Sequence, residues 1–145
     1  MKNMAIMIGI QASGKSTFSK KRLSDYTRIN LDTLKTRNKE ATELLRALLA
    51  EEDIVIDNTN PAASDRLRYI EKAKKNGYKI VGYFMQSKLK DCLERNERRT
   101  GTERIINKAI AATSNKLEMP SYEEGFDELY FVSIVDNDFV VEEWR

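Results

Sequence analysis

Gly9, Gly14, Lys15 and Ser16 are spaced as G-x-x-x-x-G-K-S, a pattern that cradles phosphate. The two glycines admit turns that a side chain would block, and they bring backbone N–H groups close to an anion. Ala12 and Ser13 are small and leave the loop open for a phosphate chain. A helix beginning at Lys15 and running on through Thr17 adds the positive end of its dipole. Lys15 would reach the outer phosphates as a point charge, and the Ser16 hydroxyl would ligate Mg²⁺. The expected nucleotide-binding residues are therefore Gly9, Ala12, Ser13, Gly14, Lys15, Ser16 and Thr17, with a nucleoside triphosphate and Mg²⁺ as the ligands.

Three further groups could complete the chemistry of phosphoryl transfer. Asp57 ends the apolar run Ile54-Val55-Ile56, where a carboxylate can hold Mg²⁺ beside Ser16 or can simply cap a loop. Asn58-Thr59-Asn60-Pro61 is expected to steady that carboxylate through side-chain hydrogen bonds. Asp32 follows a second short strand, and the residues alone leave it open as a helix cap or as the base that orients an attacking hydroxyl. With no histidine in the chain, that base must be a carboxylate or lysine. Arg95, Arg98 and Arg99 lie where a closing lid would bring cations onto the transferring phosphoryl group. The same arginines could instead belong to a solvated helix, pairing with Glu94 and Glu97.

The elements that must hold these groups alternate between short apolar runs and helical patterns, which implies a parallel sheet covered on both faces. Helices are expected at Lys15–Ser24, Glu40–Glu52, Asp65–Asn76 (capped by Ser64), Lys88–Arg99 and Glu103–Leu117. Strands are expected at Ala5–Ile8, Tyr26–Asn30, Ile54–Ile56, Lys79–Met85 and Leu129–Val135. The tail Phe139–Trp144 either adds an edge strand or packs Trp144 against the body. The expected architecture is an α/β three-layer sandwich: a five-stranded, mainly parallel sheet with helices on both faces and a basic lid helix. In such sheets ligands sit beyond the carboxyl ends of the strands, and the phosphate loop, the Asp32 loop, the Asp57 loop and the Arg99 helix all lie there.

At 145 residues the chain reads as one domain, residues 1–145. A net charge of +2 argues against whole-molecule attraction to nucleic acid, so an anionic strand would need a local basic path. Candidates are Lys20, Lys21, Lys35, Arg37 and Lys39; no aromatic stacking platform can be chosen among Tyr26, Tyr69, Tyr83 and Tyr122. The single cysteine, Cys92, sits at an apolar helical position and reads as core, which suits a reducing cytoplasm. The first apolar run is too short to span a membrane.

The segments GIQASGKST, INLDTLKTR, VIDNTNPAASDRLRYIEKAKKNGY, LERNERRTG and LEMPSYEEGFDEL resemble the polynucleotide 5′-hydroxyl kinase family of P-loop phosphotransferases. N-x-D-T-L combined with D-N-T-N-P is the discriminating part. The resemblance implies a kinase-type P-loop fold, ATP as donor and a 5′-OH polynucleotide end as acceptor; the alternatives are a small-molecule or tRNA-linked hydroxyl as acceptor, or a regulator that binds ATP without transferring its phosphate. It implies Asp32 as general base, Lys15 on the phosphates, and Ser16 as a metal ligand. The lid arginine falls on Arg99, with Arg95 one turn before it as a nucleotide contact. Family members often carry an arginine on the acceptor phosphate three residues after the aspartate; here Lys35 stands there, with Arg37 nearby. Many relatives carry a fused phosphatase or ligase domain, so a separate partner of that kind is expected.

Overall fold

The computed structural model describes residues 2–144. Six strands form one sheet in the order β2-β3-β1-β4-β5-β6. They are β1 (Asn3–Ile8), β2 (Thr27–Ile29), β3 (Ile54–Ile56), β4 (Lys79–Met85), β5 (Glu128–Val135) and β6 (Asp138–Glu143). The first five run parallel, and β6 returns antiparallel to β5. The helices are α1 (Lys15–Arg22), α2 (Leu31–Leu34), α3 (Arg37–Leu49), α4 (Ala63–Lys75), α5 (Leu89–Glu97) and α6 (Asn107–Lys116).

Alternation along the central strands divides the core. Met4, Ile6 and Ile8 of β1 face one side with Ile54, Ile56 and Ile80, and meet Leu44 and Leu48 of α3 and Tyr69, Ile70 and Ala73 of α4. Ala5 and Met7 face the other side and meet Phe18 of α1, with Val55 and Val132. A strand buried on both faces reads as a continuous apolar run, which is why β1 and β3 are plain in the sequence. A third cluster, Ile10, Ala12, Cys92 and Ile110, packs α5 and α6 under the phosphate loop. Cys92 is thus a core residue, and burial pushes its thiol up.

The sixth strand extends the expected five. Asp136 and Asn137 both adopt positive φ, at 51° and 63°, which matches the twist a tight hairpin requires. Both expectations for the tail hold together: β6 pairs with β5, and the Trp144 ring lies 5.3 Å from that of Phe84. Several boundaries move. α3 starts earlier than Glu40 because Thr36 Oγ1 accepts from the Lys39 N–H at 3.1 Å. Ser64 is not the cap of α4; Ala62 holds that position, and Asp65 Oδ2 accepts from its N–H at 3.0 Å. The helix expected over Glu103–Leu117 is broken into a 3₁₀ turn, Gly101–Glu103, and α6. The buried Asn96 amide holds the break open, donating to Ile105 O and accepting from Ile105 N–H. Among the described residues no helix is long and apolar enough to cross a membrane.

Candidate functional site

Where β1 ends, the chain wraps into the phosphate loop. The Gly9 N–H donates to Thr59 O at 3.0 Å, tying the loop to the segment after β3. A Cβ at Gly9 would stand 2.7 Å from Ser13 Oγ and 3.1 Å from Met85 Cβ, so only glycine fits this approach. Gly14 takes φ +101° at the start of α1, and Ala12 also enters the left-handed region, at φ 64°. The Ile10 N–H donates to Ser87 Oγ at 3.1 Å.

Lys15 is buried and folds back over the loop, donating from Nζ to Ile10 O at 2.9 Å. Burial lowers its pKa from 10.5 to about 8; the Asp57 charge opposes that shift, Arg99 reinforces it, and Asp32 opposes it more weakly. Charges from three other loops are therefore felt at one ammonium. Asp32 itself is exposed in the first turn of α2, where Asn30 Oδ1 caps the helix by accepting from the Thr33 N–H at 3.0 Å. No ion pair ties Asp32 down among the described residues.

Asp57 is 1% exposed. Its Oδ2 accepts from Ser16 Oγ at 2.9 Å and from Arg28 Nε at 2.7 Å, while Arg28 Nη2 donates to Ser16 Oγ at 3.1 Å. Its other oxygen, Oδ1, is buried without a hydrogen-bond partner, as are Ser13 Oγ and Gln11 Oε1. A hydroxyl and a carboxylate side by side are hard oxygen donors, and an unpartnered buried carboxylate oxygen is what a divalent ion relieves. The pair fits Mg²⁺, which takes one or two protein ligands and completes its shell with phosphate and water.

The asparagines after β3 do not bond the Asp57 carboxylate, contrary to expectation. Asn58 Oδ1 accepts from the Leu31 N–H at 2.9 Å, and Asn58 Nδ2 donates to Glu40 Oε2 at 2.8 Å; Asn60 Nδ2 donates to Met7 O at 2.7 Å. Asn30 Nδ2 donates to the Asp57 carbonyl. These amides satisfy backbone groups that strand ends leave over, so they fasten the loops to one another. The carboxylate is held by Ser16 and Arg28 instead.

In the lid, Arg95 Nη1 donates to Ala12 O at 3.2 Å, placing that guanidinium on the phosphate loop. Arg99 Nη1 donates to Glu103 O at 3.2 Å, and Arg98 is exposed. Lys35 is exposed at the end of α2, with φ 78°. Arg37 is held by Glu40 Oε1 at 3.0 Å and by the Tyr69 hydroxyl at 3.2 Å. Thr17, Lys20, Lys21 and Lys39 are exposed. A cavity of about 310 Å³ between the end of α2 and the first turns of α3 is lined by Leu34, Asn38, Lys39, Thr42 and Glu43.

Sequence reasoning missed Arg28, buried Glu40 and Asn30, and it gave Asn58 and Asn60 the wrong partner. The signal for Arg28 was its place: an arginine inside the strand-like run Tyr26–Asn30, next to a strand that ends in an aspartate.

A family model described as an AAA domain matches residues 4–120. The chain is 33% identical over 140 residues to a putative bifunctional polynucleotide phosphatase/kinase of Acanthamoeba polyphaga mimivirus, covering 91% of this chain and 33% of that protein. It is 30% identical over 128 residues to a bifunctional polynucleotide phosphatase/kinase of Schizosaccharomyces pombe, covering 85% of this chain and 31% of that protein. The chain thus spans about a third of the length of these curated relatives. Its fold matches that of Chaetomium thermophilum Kti12 in complex with ADP-AlF3, with a TM-score of 0.65 at 20% identity over 93% of this chain and 90% of that one. By the match over residues 4–120, the chain belongs to the AAA domain family, and it does so as a P-loop kinase-like α/β fold.

Proposed function

We propose that the protein transfers the γ-phosphoryl group of ATP to the 5′-hydroxyl of a polynucleotide, DNA or RNA. The observation that carries this reading is the convergence on the phosphate loop: Ser16 Oγ lies 2.9 Å from the buried Asp57 carboxylate, Lys15 folds over the loop onto Ile10 O, and Arg95 of the lid helix reaches Ala12 O. A P-loop fold alone leaves the acceptor open. The 5′-hydroxyl is drawn from the names of the two relatives and from the N-x-D-T-L and D-N-T-N-P segments that this chain carries.

ATP supplies the transferable group and Mg²⁺ the neutralising charge; the protein's work is positioning and electrostatics. Backbone N–H groups of Gly9–Ser16 cradle the phosphates, Lys15 meets their outer oxygens, and Arg95 closes over the loop. Ser16 and Asp57 hold the metal. Asp32, exposed and in no ion pair among the described residues, orients the incoming hydroxyl and accepts its proton. Arg99 meets the charge that builds on the phosphoryl oxygens at the transition state. Lys35 and Arg37, beside the cleft that runs along α2 and α3, contact the acceptor strand. A phosphatase or ligase activity working alongside completes an end-processing role, and the buried thiol suits a cytoplasmic setting.

The test is incubation with γ-labelled ATP and a panel of 5′-OH oligonucleotides, nucleosides and sugars. Label should appear on the oligonucleotides and be lost in Asp32→Asn, while ADP affinity stays near that of the unaltered protein. Label on a sugar or nucleoside alone refutes the polynucleotide acceptor. An Asp32→Asn protein that still transfers refutes the base.

A further inference from the structure

The Ser16–Asp57 pair already holds a cation of the protein's own. Arg28 projects from β2, and its side chain is 28% exposed against 1% for Asp57. A guanidinium facing a carboxylate commonly forks across both oxygens. Arg28 does not: Nε goes to Asp57 Oδ2, Nη2 goes to Ser16 Oγ, and Asp57 Oδ1 is left unpartnered. The guanidinium therefore spans the hydroxyl and the carboxylate, the two groups that fit the metal. Ser16 Oγ donates its proton to Asp57 and accepts from Arg28, so its proton and one of its two lone pairs are already in use. These are the only side-chain hydrogen bonds Arg28 makes among the described residues, and its partial exposure gives it a way out into solvent.

We infer that Arg28 is a built-in counter-cation for the Ser16–Asp57 pair, which Mg²⁺ arriving with the nucleotide must displace, so that Arg28 sets the affinity for the metal–nucleotide complex. A carboxylate this deeply buried is costly without a positive partner. Arg28 supplies that partner, and it keeps the hydroxyl and carboxylate together in the arrangement the metal uses. A divalent ion ligated by Ser16 Oγ and the Asp57 carboxylate would stand within a few ångströms of a guanidinium that bonds both groups, and repulsion between the two cations makes the exchange competitive. The inference rests on reading Ser16 and Asp57 as the metal's ligands and is independent of the acceptor.

The test is calorimetric titration of the full chain with ADP, once in excess Mg²⁺ and once in EDTA. In Arg28→Met the affinity in Mg²⁺ should tighten about tenfold or more, the equivalent of one charge-assisted hydrogen bond no longer broken on binding. In EDTA it should stay close to that of the unaltered protein. Arg28→Lys keeps a charge that cannot span both oxygens and should fall between the two. Unchanged or weaker binding of Arg28→Met in Mg²⁺ overturns the inference, because an arginine serving as a phosphate ligand gives that result. If ADP binds the unaltered protein equally in Mg²⁺ and EDTA, the metal reading fails and this inference with it. Should Arg28→Met not fold, the Arg28 Nε–H resonance of the unaltered protein decides. Mg²⁺ with ADP must move it to the position of solvent-exposed arginines, and an unmoved signal overturns the exchange.

Discussion

Replacing Lys15 with methionine should stabilise the fold near neutral pH while weakening nucleotide binding. Lys15 is 8% exposed, and burial lowers its pKa from 10.5 to about 8. A shift of that size corresponds to roughly 3 kcal/mol, which the charged form costs wherever both folded and unfolded chains are protonated, that is below about pH 8. The hydrogen bond from Nζ to Ile10 O returns about 1–2 kcal/mol, so the methionine variant should gain about 1–2 kcal/mol near pH 7. The sign reverses with pH. Between about pH 8 and 10.5 the folded lysine has released a proton that the unfolded chain still binds, so the stability of the unaltered protein rises relative to the variant. Across that window the difference should move by about 3 kcal/mol and end with the variant the less stable. Urea unfolding of both proteins at a series of pH values measures it, and other titrating groups cancel in the comparison. A difference that stays flat from about pH 7 to 10.5 refutes the reasoning, since Lys15 would then carry no penalty for its burial.

Arg99→Ala should lower kcat about a thousandfold, the lower end for an arginine acting on the transition state, with ADP affinity little changed; an equal fall in both would make it a binding residue. Arg66 is fully buried, with Nε 2.7 Å from Glu124 Oε1 and Nη1 3.0 Å from Asn60 O. Arg66→Ala should lose about 3–5 kcal/mol in urea unfolding, because it breaks a buried pair and leaves Glu124 and the Asn60 carbonyl without their partner. A loss below about 1 kcal/mol would show that the pair is not holding the Asn60 loop.

What the sequence made legible follows from where the determining interactions lie. Met4–Ile8 and Ile54–Ile56 are apolar on both faces, so their strands announce themselves without any knowledge of their neighbours. The phosphate loop is legible for the same reason: its geometry is set by Gly9 and Gly14 within one short segment. Helix ends are less so, because Asn30 and Thr36 settle them with single side-chain hydrogen bonds that apolar periodicity does not register. The break before α6 depends on Asn96 reaching Ile105 in three dimensions, a tertiary contact that overrides local helix propensity. The place of Arg28 inside a strand-like run was legible, but its partners were not, because they meet it only once β2, β3 and α1 are side by side. An arginine in an edge strand otherwise reads as a solvated charge.

The distribution of incompletely satisfied groups separates site from scaffold. Arg66 and Glu40 are buried charges, and both are fully engaged: Arg66 by Glu124 and backbone carbonyls, Glu40 by Arg37, Tyr69 and Asn58. They sit where strand ends and helices are fastened together, and their bonds resemble those of any well-formed core. Gln11 Oε1, Ser13 Oγ and Asp57 Oδ1 have no such partners, and all three belong to the phosphate loop or to the carboxylate facing it. Ala12, in the left-handed region, and Lys15, with its depressed pKa, lie in the same few residues. Strain and unmet polar demand concentrated at one place are tolerated when the surrounding fold over-determines the geometry, here through Asn58, Asn60, Ser87 and Arg28. An anionic ligand with a divalent ion meets those demands together: charge for Lys15, acceptors for the loop N–H groups and a cation for Asp57. A site that the scaffold holds short of satisfaction is what a nucleotide with its metal ion would complete, which is also why removing the charge at Lys15 should stabilise the protein.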